Sequence, residues 1–201
     1  NFSTKDPSDT FRHLLAIQPD KPIMCGEFWM GWFDHWGENH HAGGEALENF
    51  KSGAEGLLKM GASFNLYMFH GGTTYGYMNG ANTAGSFYQP DITSYDYDCG
   101  LDEQGNPTEK YFAFRDLVSK YIGINPPMDL PEATTAKAFG KITLTHRADL
   151  FAQLTTVSDR VTRTAAILPM EQFSQNYGFI LYRTKVRAVG ETEIILREVH
   201  D

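Results

Sequence analysis

The chain reads as a parallel α/β fold that gives way to a mostly β segment. Two observations carry this. From residue 1 to about 123, helical and strand periodicities alternate in the order helix, strand, helix, strand, helix, the signature of βα units around a parallel sheet. The stretch 124–138, INPPMDLPEATTAKA, then interrupts with three prolines and no periodicity, after which the pattern turns to strands. We therefore divide the chain into 1–123, a linker at 124–138, and a partial β domain at 139–201.

Each element has a local cause. Asp6–Pro7 offers a side-chain cap followed by a pre-set φ, and Phe11, Leu14, Leu15 and Gln18 share a helical face before Pro19 stops it. Pro22–Phe28 reads as a strand with Ile23, Cys25 and Glu27 on one face and Met24, Gly26 and Phe28 on the other. A helix is expected from about Gly44 to Met60, carrying Leu47, Phe50, Ala54, Leu57 and Leu58 inward and stopping at Gly61. Ser63–Phe69 follows as a second strand, with Asn65, Tyr67 and Phe69 opposite Phe64, Leu66 and Met68. A long loop spans 70–107, and Thr108 is expected to cap a helix ending at Gly123. Beyond the linker, Lys141–Thr145 alternates as a strand, Asp149–Leu154 reads as a helical turn, and Gly178–Val186 with Glu191–Val199 reads as a hairpin.

Composition narrows the function. The chain has 201 residues, 41% of them hydrophobic, enough for one or two cores. A formal charge of −8 and a pI near 5.3 disfavour nucleic acid and anionic membranes as partners, and the apolar runs are too short and interrupted to span a bilayer. The two cysteines, Cys25 and Cys99, match neither a metal nor a disulfide framework. Asn1 reads as mid-protein sequence, so the chain is expected to be a piece of a longer protein, and its compartment stays open.

The chemistry concentrates in Cys25–His41, CGEFWMGWFDHWGENHH, where Glu27 lies among three tryptophans, Phe28 and Phe33. Read alone, a strand-end glutamate fits a buried ion pair as well as a site. The aromatics favour the site: sugar rings stack their apolar faces on indoles, and anomeric carbons react with carboxylates. Glu27 is thus the candidate nucleophile of a retaining glycosidase and Trp32 a stacking platform, while Trp29 and Trp36 fit loop packing equally well. Tyr67 ends the second strand on the same parity as Glu27. It reads either as a phenol hydrogen-bonded to that carboxylate or as a packed core residue. In TSYDYDCG, Tyr95 or Tyr97 offers a ligand contact, and Asp96 and Asp98 read as turn formers.

Other chemistries fit less well. The glycines of Gly71–Asn82 lack the Lys–Ser/Thr pair and following helix of a phosphate loop, and no serine sits in a G-x-S-x-G elbow. His35, His40, His41, His70, Asp34 and Glu38 match no strong zinc spacing and are read as loop-structure residues, so no metal is expected.

Three segments in register, EFWMGWFDHWGE, NLYMFHGGTTYGYMNGAN and TSYDYDCGLDEQG with TEKYFAFRDL, resemble the family-35 glycoside hydrolases, retaining exo-β-galactosidases. PMEQFSQNYGFILYRT is similar to the first β domain after that family's barrel. The resemblance implies the C-terminal βα units of a (β/α)8 TIM barrel followed by part of a mostly β domain. It implies Glu27 as nucleophile, Trp32 and Tyr97 as galactose-pocket residues, Tyr67 beside the nucleophile, a β-galactoside substrate and no cofactor. An exo-β-glucosaminidase of similar layout, or a carbohydrate-binding protein without catalysis, would share these features.

Two departures stand out. Cys99–Gly100 occupies the position where the family commonly has Ala–Pro. The general acid/base, a glutamate in an Asn–Glu pair on an earlier strand, has no counterpart in this sequence. A barrel needs eight strands in about 250 residues, and two strands are expected before the linker. The chain alone is therefore expected to be inactive, and to pair its exposed strand edges with the missing barrel strands or another copy of itself.

Overall fold

A computed structural model of the chain describes residues 7–85, 87–125, 129–158, 160–187, 190–191 and 193–196. Two units separate by their internal contacts, one extending to Thr135 and the other covering Ala136–Val199.

The first unit follows the expected alternation. Helix α1 (Ser8–Ile17) leads to strand β1 (Met24–Trp29), helix α2 (Leu47–Lys59), strand β2 (Ser63–Tyr67), a hairpin of β3 (Ala81–Ala84) and β4 (Phe87–Pro90), and helix α3 (Glu109–Ile122). β1 and β2 pair in parallel, as a helical crossover requires. Helix ends obey the glycine rule, with Gly61 at φ +66° and Gly123 at φ +73° in the left-handed region after α2 and α3. The expected Asp6 cap of α1 lies outside the described residues.

Three expectations are corrected. First, β1 does not alternate cleanly. Its register with β2 slips between Cys25 and Phe28, so three steps on β1 match two on β2. This bulge lets both Cys25 and Phe28 reach the core, at 2% and 0% exposure, although they were expected on opposite faces. Second, α2 starts at Leu47 rather than Gly44. A side chain at position 44 would bring its Cβ within 2.3 Å of Asp98 Oδ2, so the glycines run as a link pressed against the neighbouring loop. Third, Thr108 sits in the extended N-cap position of α3 but makes no side-chain cap; its hydroxyl donates to the carbonyls of Cys99 and Gly100 instead.

The core is built from phenylalanines contributed by four elements. Phe28 of β1 stacks with Phe50 of α2 at 5.9 Å and meets Phe64 of β2 edge-on at 5.9 Å, and Phe114 of α3 lies 6.3 Å from Phe50 and 5.9 Å from Phe64. Such ring pairs contribute about 0.5–1.5 kcal/mol beyond area burial. They hold the β1–β2 pair against α2 and α3.

The loop 70–107 is more ordered than its composition suggested. Glu103 collects the hydroxyls of Thr73 and Ser94, the latter at 2.6 Å. His35 pairs with Glu38 at 2.9 Å and contacts Asn82 at 3.2 Å, joining the segment after β1 to the β3–β4 hairpin.

In the second unit, a 3₁₀ turn (Phe151–Gln153) runs into a short helix α4 (Leu154–Val157), where a helical turn was expected, and another 3₁₀ turn covers Met170–Phe173. The strands expected at Lys141–Thr145 and Gly178–Val186 do not form, and part of Glu191–Val199 lies outside the described residues. Ile142, Leu144 and Phe179 are 73%, 89% and 79% exposed. Alternation records which face a strand would bury, but a strand exists only when a neighbour supplies its backbone hydrogen bonds. Among the described residues no helix is long and apolar enough to cross a membrane.

Candidate active site

The site forms at the C-terminal ends of β1 and β2. β1 ends in Glu27-Phe28-Trp29, and its register places Trp29 directly beside Tyr67, the last residue of β2. Phe28 is drawn into the phenylalanine core, which leaves Glu27 on the opposite side of the strand. Its Oε1 accepts a 2.8 Å hydrogen bond from Trp29 Nε1.

Around the carboxylate the rings form a continuous wall. Trp32 lies edge-on to Trp29 at 5.2 Å, stacks with Phe33 at 4.9 Å and meets Tyr97 at 5.9 Å. Tyr97 in turn meets Tyr67 edge-on at 5.7 Å and stacks with Tyr95 at 5.8 Å, while Tyr95 lies flat on Phe33 at 4.7 Å. All five residues singled out in the sequence, Glu27, Trp32, Tyr67, Tyr95 and Tyr97, thus come together. Of the two readings of Tyr67, the packed one describes its ring, edge-on to Tyr97, while Trp29 is the residue that donates to the Glu27 carboxylate.

Electrostatics tie the group together. Burial, then the Tyr67 hydroxyl and, more weakly, the Glu27 charge push the Tyr95 phenol well above its ordinary range. Tyr97 is raised further, by burial first, then by its tyrosine neighbours and Glu27. Both phenols therefore stay protonated, each with an O–H to offer. Tyr97 is completely buried, yet its hydroxyl has no hydrogen-bond partner among the described residues. A buried unpaired hydroxyl costs about 1–3 kcal/mol.

Two contributors were missed in the sequence. Trp29, which fits loop packing and a site role equally well by sequence, sits two residues after Glu27, so the reach from indole to carboxylate is local. Lys110, in the first turn of α3, is 5% exposed, and its ammonium donates to Met30 O at 2.7 Å, Asp98 O at 2.6 Å and Asp98 Oδ2 at 2.7 Å. It ties the segment after Trp29 to the turn after Tyr97, and only the pairing of distant segments reveals that role. Gly31 and Gly71 allow the same closeness: a Cβ at position 31 would lie 2.1 Å from Tyr97 O, and one at position 71 would lie 1.7 Å from Tyr95 O. Asp96 accepts the backbone N–H of Asp98 at 3.1 Å, a turn role.

The sequence profile of the glycosyl hydrolases family 35 matches residues 1–121. The chain belongs to this family. Among curated relatives, the "Beta-galactosidase" of Xanthomonas manihotis is 41% identical, with an alignment covering 100% of this chain and 33% of that protein. The "Beta-galactosidase-1-like protein" of Mus musculus is 38% identical over 89% of the chain and 28% of its own length, and the "Beta-galactosidase" of Homo sapiens is 39% identical over 88% and 25%. The family-35 chain thus spans about a quarter to a third of the relatives it matches.

Proposed function

We propose that the protein carrying this chain is a retaining exo-β-galactosidase, in which Glu27 is the nucleophile. The observation that supports it most is the placement of Glu27 at a parallel-strand end, held by the Trp29 N–H and walled by Trp32, Tyr67, Tyr95 and Tyr97. In this reading the chain supplies the C-terminal βα units of a (β/α)8 barrel. Segment 139–201 begins a β domain whose strands pair once their neighbours are present.

Retaining hydrolysis uses two carboxyl groups about 5–5.5 Å apart. The Glu27 carboxylate attacks the anomeric carbon as the bond to the leaving oxygen breaks and a second carboxyl group, outside this chain, protonates that oxygen. The galactosyl ester so formed is then cleaved by water, deprotonated by the same second group, which restores Glu27. The Trp29 N–H aims one carboxylate oxygen so that the other faces the sugar. Trp32 stacks on the apolar face of galactose, and the orphan Tyr97 hydroxyl finds its partner in a sugar hydroxyl.

Incubating the full-length protein with a 2-deoxy-2-fluoro-β-galactosyl fluoride tests this directly. The expected result is one fluorogalactosyl group on the proteolytic peptide bearing Glu27, with Glu27→Gln lowering kcat by at least about a thousandfold. A label on any other carboxylate overturns the assignment. Faster hydrolysis of a β-glucosaminide than of the matched β-galactoside overturns the choice of sugar. The 201-residue chain alone is expected to release no galactose.

A further inference from the structure

The fold assembles a cluster that sequence spacing did not suggest. His40, His41 and Asp96 each bring one ligating atom to a common point, all within 4.8 Å of one another. Asp96 arrives from 55 residues away on the Tyr95–Asp98 turn. We propose that His40, His41 and Asp96 bind a zinc-type divalent cation that clamps the loop after Trp32 to the turn carrying Tyr95 and Tyr97.

Neighbouring histidines rarely point the same way, because successive side chains diverge. Here His41 adopts φ +60°, which turns its ring back onto that of His40, with centroids 3.6 Å apart. His41 Nε2 lies 3.2 Å from Asp96 Oδ1, and His40 Nε2 lies 3.9 Å from Asp96 Oδ2. With zinc bonds of about 2.0–2.1 Å to nitrogen and oxygen, tetrahedral ligand atoms stand about 3.3–3.5 Å apart. Binding would draw the three ligating atoms, now within 4.8 Å of one another, in to that spacing.

The surroundings resemble a built outer shell. Metal-ligating histidines commonly give their other ring N–H to a carboxylate, which fixes the tautomer and leaves the ligating lone pair free. Asp34, 4% exposed, does this for His40: its Oδ2 lies 2.7 Å from His40 Nδ1, and its Oδ1 accepts the His41 backbone N–H at 2.9 Å. Asp98 Oδ1 stands 3.8 Å from His41 Nδ1, while its other oxygen is held by Lys110. His41 Nε2 is shielded from solvent and has no well-formed hydrogen bond. Imidazole nitrogens with one carboxylate suit zinc and its first-row neighbours better than calcium or magnesium. The exposed His40 ring leaves the cation a route in and a fourth position for water.

The purified chain titrated with Co(II), followed by its visible d–d absorption and by metal content, tests the proposal. One Co(II) per chain with the intense bands of tetrahedral coordination, displaced by Zn(II), is expected. The variants His40→Ala, Asp96→Asn and His41→Asn should each weaken binding at least tenfold. His41→Asn retains a residue tolerant of the left-handed backbone, so its circular dichroism should match the parent. Asp34→Asn should weaken it about tenfold through the lost outer carboxylate. Zn(II) should raise Tm in the parent and not in the variants. Absence of the bands at millimolar Co(II), or affinity unchanged in His40→Ala and His41→Asn, overturns it.

Discussion

At the scale of single residues the site depends on one short reach and on a side chain missing at Gly71. The Trp29 indole is the donor that holds Glu27, and a hydrogen bond to a charged group is worth about 1.5–3 kcal/mol. Trp29→Phe keeps the ring and removes the donor; in the full-length protein, kcat for a β-galactoside is expected to fall roughly 10- to 100-fold. A drop of less than threefold would show that the carboxylate is oriented by something else. Gly71 is constrained differently. A methyl there would meet Tyr95 O at 1.7 Å, backbone that cannot swing aside, whereas one at Gly26 meets nothing within 4 Å. Gly71→Ala is expected to lower Tm and collapse the near-ultraviolet dichroism of the ring cluster, with a cost at or above the ~1–3 kcal/mol usual for overpacking. Gly26→Ala serves as the tolerant control.

At the scale of elements, α2 and α3 are linked on their outer side by Glu55. Its carboxylate meets Lys120 at 2.8 Å, the Tyr121 hydroxyl, and Lys59 at 3.3 Å. Lys120 first, then Tyr121 and Lys59, hold it down to about 2 from 4.5. Because the folded value is depressed, the stabilisation from this link is present above pH 4.5 and is lost as pH falls toward 2. Urea midpoints measured across that window should show a shallower acid decline in Glu55→Gln than in the parent; identical slopes would exclude the link as a contributor. The bulge in β1 belongs to this scale too. It admits both Cys25 and Phe28 to the core, which simple alternation along the strand does not allow.

For the whole molecule, the two units differ in how much they bury. The first has a core running from Phe11 to Cys99, while no described residue of 136–196 is buried and Phe139, Val161 and Phe179 are each at least 79% exposed. Segments with few buried contacts open most readily to proteases. Brief trypsin treatment is therefore expected to cut first within 136–199, at sites such as Arg147, Arg163 or Arg183, and to leave a fragment ending near Lys137. Early cleavage at Lys51 or Arg115 would contradict this division of stability.

Local chemistry determined much of this protein by itself. Helical spacing of Leu47, Phe50, Ala54 and Leu57, glycines at 61 and 123, and alternation from Ser63, which forms a strand as far as Tyr67 of the expected Ser63–Phe69, set the first unit's elements because these signals act within a turn or a few strand steps. Glu27 with its aromatic neighbours was visible for the same reason, being contiguous. What only tertiary structure decided involves residues far apart in the chain. The bulge depends on how β1 registers against β2, and Lys110 becomes a clasp only when α3 lies over Met30 and Asp98. His40 and His41 meet Asp96 only because two loops converge. The strands expected after the linker show the converse: alternation marks a face to be buried, but pairing energy comes from a neighbouring strand, and no local pattern can supply one.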